Sequence, residues 1–229
     1  MRMKRFVLGL GLGAWMIVGA GQAREAARCP SGQVQVLAPG PSAQRIACEA
    51  AADARRFLRA CGIESAEVVR IRVREGLPEE PGLKAIGLFD PARIIAEVPT
   101  FRSAFDAMAG EGWFDHPITM PLYQSLIAHE TAHAIIDQIG GPPISPMAHE
   151  YVAYAVQFGT MAPALRQAIL ARSSHEVPIE RVELTGMYLA LAPAEFGIKA
   201  HLHFTMPGHG CGFLKGVAEG EEHLLTGLE

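Results

Sequence analysis

The chain has 229 residues, of which 49% are hydrophobic and 19% charged, with a mean hydropathy of +0.17. That is too apolar and too weakly charged for a disordered protein, and long enough for one full core. Twenty basic residues face 24 acidic ones, which argues against a protein that binds nucleic acid by neutralising phosphates.

The first elements read as a leader. Arg2, Lys4 and Arg5 precede an uncharged run over 6–20, and Gly21-Gln22-Ala23 places small residues at the −3 and −1 positions of a cleavage site. This pattern predicts a secretory signal peptide over 1–23, removed after Ala23. The apolar run is shorter than the ~20 residues that span a bilayer, so no membrane anchor is expected after cleavage. The expected mature unit is a single domain over 24–229, exported to the periplasm or secreted.

All four cysteines, Cys29, Cys48, Cys61 and Cys211, follow the leader. An even count in an oxidising compartment predicts two disulfide bonds, with three possible pairings. The segment 48–61 is rich in Ala and Arg, contains no breaker and stops at Gly62, so it reads as a helix. Thirteen residues of helix span about 20 Å, far beyond the reach of a disulfide. Cys48 and Cys61 therefore belong to different bridges, one with Cys29 and the other with Cys211, in either arrangement. No C-x-x-C pair supports a zinc site on these cysteines.

Beyond this helix, the alternation over 67–73 predicts a strand and the prolines within 76–82 a loop. Two strands over 85–89 and 93–98, joined by Asp90-Pro91-Ala92, predict a hairpin. A short helix is expected over 101–108 and a loop over 110–117. Thr119 can cap a helix that stops at Gly140-Gly141-Pro142-Pro143, and Ser145-Pro146 can open another that stops at Gly159. Further helices are expected over 163–171, 179–191 and 194–204, before a glycine-rich run over 207–212. The fold class is thus α+β: an N-terminal helix and a small, mostly antiparallel sheet, followed by packed helices.

The chemistry centres on His129-Glu130-Thr131-Ala132-His133, an H-E-x-x-H motif within the helix that Thr119 opens. Residues i and i+4 stack on one helix face, so His129 and His133 can direct imidazole nitrogens at one metal ion. Glu130 leaves the helix about 100° further round, where it can hold the attacking water and take its proton. Zinc is the default ion for two His and a carboxylate with one position open. The following helix offers two candidates for the third ligand, His149 and Glu150. His201, His203 and Tyr188 are weak candidates for an oxyanion donor, and ordinary polar positions on C-terminal helices are the simpler account of each.

His129-Glu-Thr-Ala-His-Ala-Ile-Ile-Asp137, followed by Glu150 seventeen residues after His133, resembles the core of the thermolysin-type gluzincins, a branch of the zincin metallopeptidases. The resemblance spans 85–158. It implies a zincin-like minimal domain in which His129, His133 and Glu150 bind Zn²⁺ and Glu130 is the general base. The metzincin pattern fails, because Ile136 and Ile139 stand where that pattern places Gly and His. One position departs from the gluzincin pattern as well. Tyr154 lies four residues after Glu150, where the family carries an Asp that supports a zinc-binding His, which leaves Asp137 or backbone carbonyls for that role.

The expected activity is that of a secreted or periplasmic zinc metallohydrolase, a peptidase acting on a peptide or protein lying along the strand over 93–98. The alternative is a disulfide-stabilised binding or scaffold module that keeps the zincin fold without turnover.

Overall fold

The computed structural model describes residues 26–77, 86–110 and 112–224. The leader over 1–23 and most of the loop expected over 76–82 lie outside these residues.

Two short strands open the fold, β1 (Ala27–Arg28) and β2 (Val34–Leu37), and a 20-residue helix, α1 (Pro41–Ala60), follows. Pro41 sits in the first turn of α1, where its missing N–H costs nothing. Helix α1 then crosses over to β3 (Val69–Arg74), which lies parallel to β2. A parallel pair cannot be closed by a tight turn, and α1 supplies the crossover. The chain returns as a hairpin, β4 (Leu88–Asp90) and β5 (Ile95–Pro99), with Ile94 in the turn at a φ of 52°.

The strand order is β1-β2-β3-β5-β4, with both inner pairs parallel and both outer pairs antiparallel. This corrects the expectation of a mostly antiparallel sheet. On β3, Val69, Ile71 and Val73 are buried, while Arg70, Arg72 and Arg74 occupy the opposite face. Glu97 on β5, paired in register with Arg72, accepts hydrogen bonds from Arg72 Nη1 at 2.6 Å and Arg74 Nη1 at 2.9 Å.

The remainder is helical: α2 (Phe101–Ala107), α3 (Met120–Gln138), α4 (Pro146–Thr160), α5 (Pro163–Leu170), a 3₁₀ turn (Arg181–Glu183), α6 (Gly186–Leu191), α7 (Pro193–Phe204) and α8 (Gly210–Ala218). Ser145 caps α4 by accepting a hydrogen bond from the Ala148 N–H at 3.1 Å. Thr119 occupies the equivalent position before α3, yet its side chain makes no capping bond. Helix α3 packs against α1, the sheet and α4, so it is buried on nearly every side. The small residues Ala47, Ala50, Ala51 and Ala54 are buried on α1, the helix that lies along α3. Among the described residues no helix is long and apolar enough to cross a membrane.

The disulfides are Cys29–Cys48 and Cys61–Cys211, so Cys48 and Cys61 at the two ends of α1 do belong to different bridges. Such bonds fit an oxidising compartment. The first closes a sequence separation of 19 and the second one of 150. In the chain-entropy account these loops correspond to about 3 and roughly 5 kcal/mol of stabilisation. We expect Cys61→Ala/Cys211→Ala to lower the urea midpoint more than Cys29→Ala/Cys48→Ala. The reverse order would show that native-state packing, not loop closure, sets the effect.

Candidate metal centre

Helix α3 brings His129 and His133 onto one face, a single turn apart. Gly140 and Gly141, at φ of 72° and 126°, let the chain reverse after α3, and α4 packs back against it. The second turn of α4 thereby brings Glu150 opposite the two imidazoles. His129 Nε2 lies 3.2 Å from His133 Nε2, and 3.3 Å from Glu150 Oε2. His133 Nε2 lies 3.4 Å from Glu150 Oε1.

These three separations nearly match. A tetrahedral ion with bonds of about 2.0–2.1 Å holds neighbouring ligand atoms ~3.3–3.4 Å apart. Here the contacts to Glu150 end on its two different oxygens, so the triangle is one of three side chains, with the carboxylate spanning both imidazoles. Two imidazole nitrogens facing each other at this distance can share at most one hydrogen bond. A cation between the three groups would satisfy them all. The donor set, two nitrogens and a carboxylate, suits zinc. It is also the one group of three metal-ligating side chains found among the described residues. Burial alone would push the Glu150 carboxyl up, but hydrogen bonds and charge from His129 and His133 outweigh it and hold the group well below the usual carboxylate range.

Glu130 stands apart from this triangle, on the wall of a cavity of about 800 Å³. It is buried, and burial pushes its carboxyl up to about 8, with Glu150 adding to the rise and His133 opposing it. A dication nearby would oppose it further. The backbone at Gly87, just before β4, presses on this side chain: a Cβ on Gly87 would lie 2.0 Å from Glu130 Oε1 and 2.6 Å from Cγ. Only a residue without a side chain fits.

The opposite cavity wall comes from the segment Leu189–Glu195 and from the loop holding Trp113 and Phe114. Phe114 and Asp115 both adopt positive φ, 56° and 52°, and so hold that loop in a conformation rare for side-chain-bearing residues. Strand β5 is hydrogen-bonded on both sides, by β3 and β4, so it cannot receive an added strand. Among the described residues the sheet edge beside the cavity is β4, and the expected substrate strand over 93–98 is corrected accordingly.

Among the other sequence candidates, His149 packs its ring 5.8 Å from that of His133 but does not join the ligand triangle. Asp137 is exposed on α3, and His129 Nδ1 is buried with no hydrogen-bond partner among the described residues. Neither Asp137 nor a backbone carbonyl therefore supports that nitrogen. The ring of Tyr154 packs edge-on against His129 instead, with centroids 4.6 Å apart.

His201 and His203 are displaced from any role at the cavity. His201 stacks on Phe158, and His203 Nδ1 shares a 2.8 Å hydrogen bond with the Tyr151 hydroxyl. Burial pushes both imidazoles down to about 4, with Arg166 adding to the effect on His201, and His209 and Arg181 on His203. Tyr188 lies beneath the Lys199 ammonium, 4.7 Å from its ring centroid, and does not line the cavity. Sequence reasoning missed Gly87, Trp113 and Gln157 as cavity residues. Gln157 was within reach, since Glu150, Tyr154 and Gln157 recur at i, i+4 and i+7 on α4.

The chain belongs to DUF6639, a family of unknown function, whose profile matches residues 34–226. No curated protein matches it, and no solved structure does.

Proposed function

We propose that this protein is an exported zinc-dependent hydrolase of gluzincin type that cleaves peptide bonds. The observation that carries this reading is the convergence of His129 Nε2, His133 Nε2 and the Glu150 carboxylate, with contacts of 3.2 to 3.4 Å and one carboxylate oxygen beside each imidazole, and with a separate carboxylate, Glu130, on the adjoining cavity wall.

His129, His133 and Glu150 would hold the ion. When bound, zinc supplies positive charge that polarises a carbonyl and acidifies water. Glu130 orients the attacking water and accepts its proton, then passes the proton to the departing nitrogen. The edge of β4, which pairs with no other strand than β5 among the described residues, offers backbone N–H and C=O groups to an extended peptide, which would lie along the cavity as an added strand.

A non-catalytic module is the second reading, and one observation favours it: His129 Nδ1 has no hydrogen-bond partner among the described residues, which would leave a ligating imidazole without outside support. Glu130 weighs the other way, because three side chains already form the ligand set and holding an ion does not need a second carboxylate beside it.

The deciding experiment measures zinc per chain on purified protein and cleavage of a mixed peptide library. One zinc and metal-dependent cleavage are expected. Protein that takes up no zinc would overturn the reading, and stoichiometric zinc with no cleavage would select the binding module.

A further inference from the structure

Tyr154 is held in place with unusual rigour. Its ring packs edge-on to His129 and against Phe114 and Phe196. Gly197 on α7 leaves the space that the ring occupies, since a Cβ there would lie 2.5 Å from Tyr154 Cδ1. The residue is only 3% exposed.

Its hydroxyl is treated differently from the other deeply buried tyrosines. Tyr123 donates to the Pro99 carbonyl at 2.6 Å, and Tyr151 bonds to His203. Among the described residues the Tyr154 hydroxyl has no hydrogen-bond partner, and it is not one of the polar atoms sealed from solvent. Tyr154 lines the same cavity as Glu130 and Glu150. A buried phenol without a partner loses the hydrogen bond that water would have given it. Here the cost of ordering the ring is met by packing, and the O–H is left to face whatever enters the cavity.

We infer that Tyr154 is a catalytic residue whose hydroxyl donates a hydrogen bond to the carbonyl oxygen of the substrate. The inference rests on the hydrolase reading above. During attack the water oxygen bonds to the carbonyl carbon, its proton goes to Glu130, and the carbonyl π pair moves onto oxygen. Tyr154 keeps its own proton and stabilises that oxygen by hydrogen bonding. When the C–N bond breaks, the pair returns to the carbonyl, and the proton held by Glu130 leaves with the nitrogen. A rigid donor aimed at developing charge stabilises the transition state more than the ground state. The position four residues after Glu150, which departs from the family resembled, thus carries a group that acts on substrate.

The test is Tyr154→Phe in the full, zinc-loaded chain, a change that keeps the ring and removes only the hydroxyl. Zinc stoichiometry and the urea midpoint should match the parent. kcat on a library peptide should fall about 10²-fold with KM little changed, as for other oxyanion donors. Affinity for a phosphinic pseudopeptide carrying leucine side chains, a tetrahedral mimic, should fall by a similar factor. Parent-like kcat and phosphinate affinity in the variant would overturn this inference and leave the hydrolase reading standing. Loss of zinc from the variant would also overturn it, by placing the hydroxyl's role in holding the metal site together. A parent protein that neither cleaves nor binds the phosphinate would remove the hydrolase reading and this inference with it.

Discussion

Glu130→Gln is expected to retain one zinc per chain and to slow peptide cleavage by about 10²–10⁴-fold. The amide has nearly the shape of the carboxylate, and Glu130 lies outside the ligand triangle, so the metal set of His129, His133 and Glu150 stays intact. What is lost is the capacity to accept a proton from water. Glu150→Ala is expected to fail in the opposite order. It removes the single carboxylate from the triangle and leaves two imidazoles, so metal is lost first and turnover with it. His149→Ala should keep both, because its ring lies beside His133 rather than in the triangle. Zinc stoichiometry and turnover on the three variants decide the matter. Full zinc in Glu150→Ala together with metal loss in His149→Ala would move the third ligand to His149 and end the gluzincin reading.

A single methyl group at Gly87 is expected to do nearly as much harm as the loss of Glu130. The Cβ of Gly87→Ala would overlap the Glu130 carboxylate and its Cγ, and Cγ is not the far end of a free side chain. Helix α3 is packed on nearly every side, so it cannot yield; the Glu130 rotamer or the β4 edge must move. Misplacing a general base by about 1 Å costs on the order of 10²-fold in rate. We expect Gly87→Ala to lose turnover by that order while zinc content stays at the parent level. Unchanged kcat in this variant would show that the backbone before β4 shifts freely, and that Glu130 is not fixed by it.

The parts of this fold that were legible in sequence are those in which local and tertiary preferences agree. Ser145-Pro146 marked the start of α4 and Gly140 the end of α3, because cap chemistry acts within a few residues. The H-E-x-x-H spacing gave His129 and His133, since i and i+4 geometry needs no tertiary knowledge. Pairing of Cys48 with Cys61 was excluded by helix length alone.

Elements whose signal is non-local escaped. Four residues, Val34–Leu37, are too short to announce β2, and without β2 neither the crossover through α1 nor the parallel centre of the sheet can be read. Gly210 and Gly212 disguise α8, which forms because Phe213, Leu214, Val217 and Ala218 are drawn into the core. The segment 179–191 divides into a 3₁₀ turn and α6 instead of running as one helix. The Tyr154 hydroxyl had no signal of its own, for the role inferred for it depends on the lack of a partner among the described residues, and that is a property of the folded neighbourhood.

The bond between Cys61 and Cys211 joins the end of α1 to the start of α8, and everything between them forms a covalently closed ring. That ring contains the sheet hairpin, the motif helix and the Glu150 helix. A protein in an oxidising compartment meets proteases, and under the hydrolase reading it also meets copies of itself. One cut anywhere between positions 61 and 211 leaves two pieces that stay tethered, so neither α3 nor α4 can diffuse away. On a gel run without reductant such nicked molecules migrate with the intact protein, and they separate into fragments only when the bridge is reduced. The population that looks uncut can therefore be one that has already been cut and has gone on holding its site together.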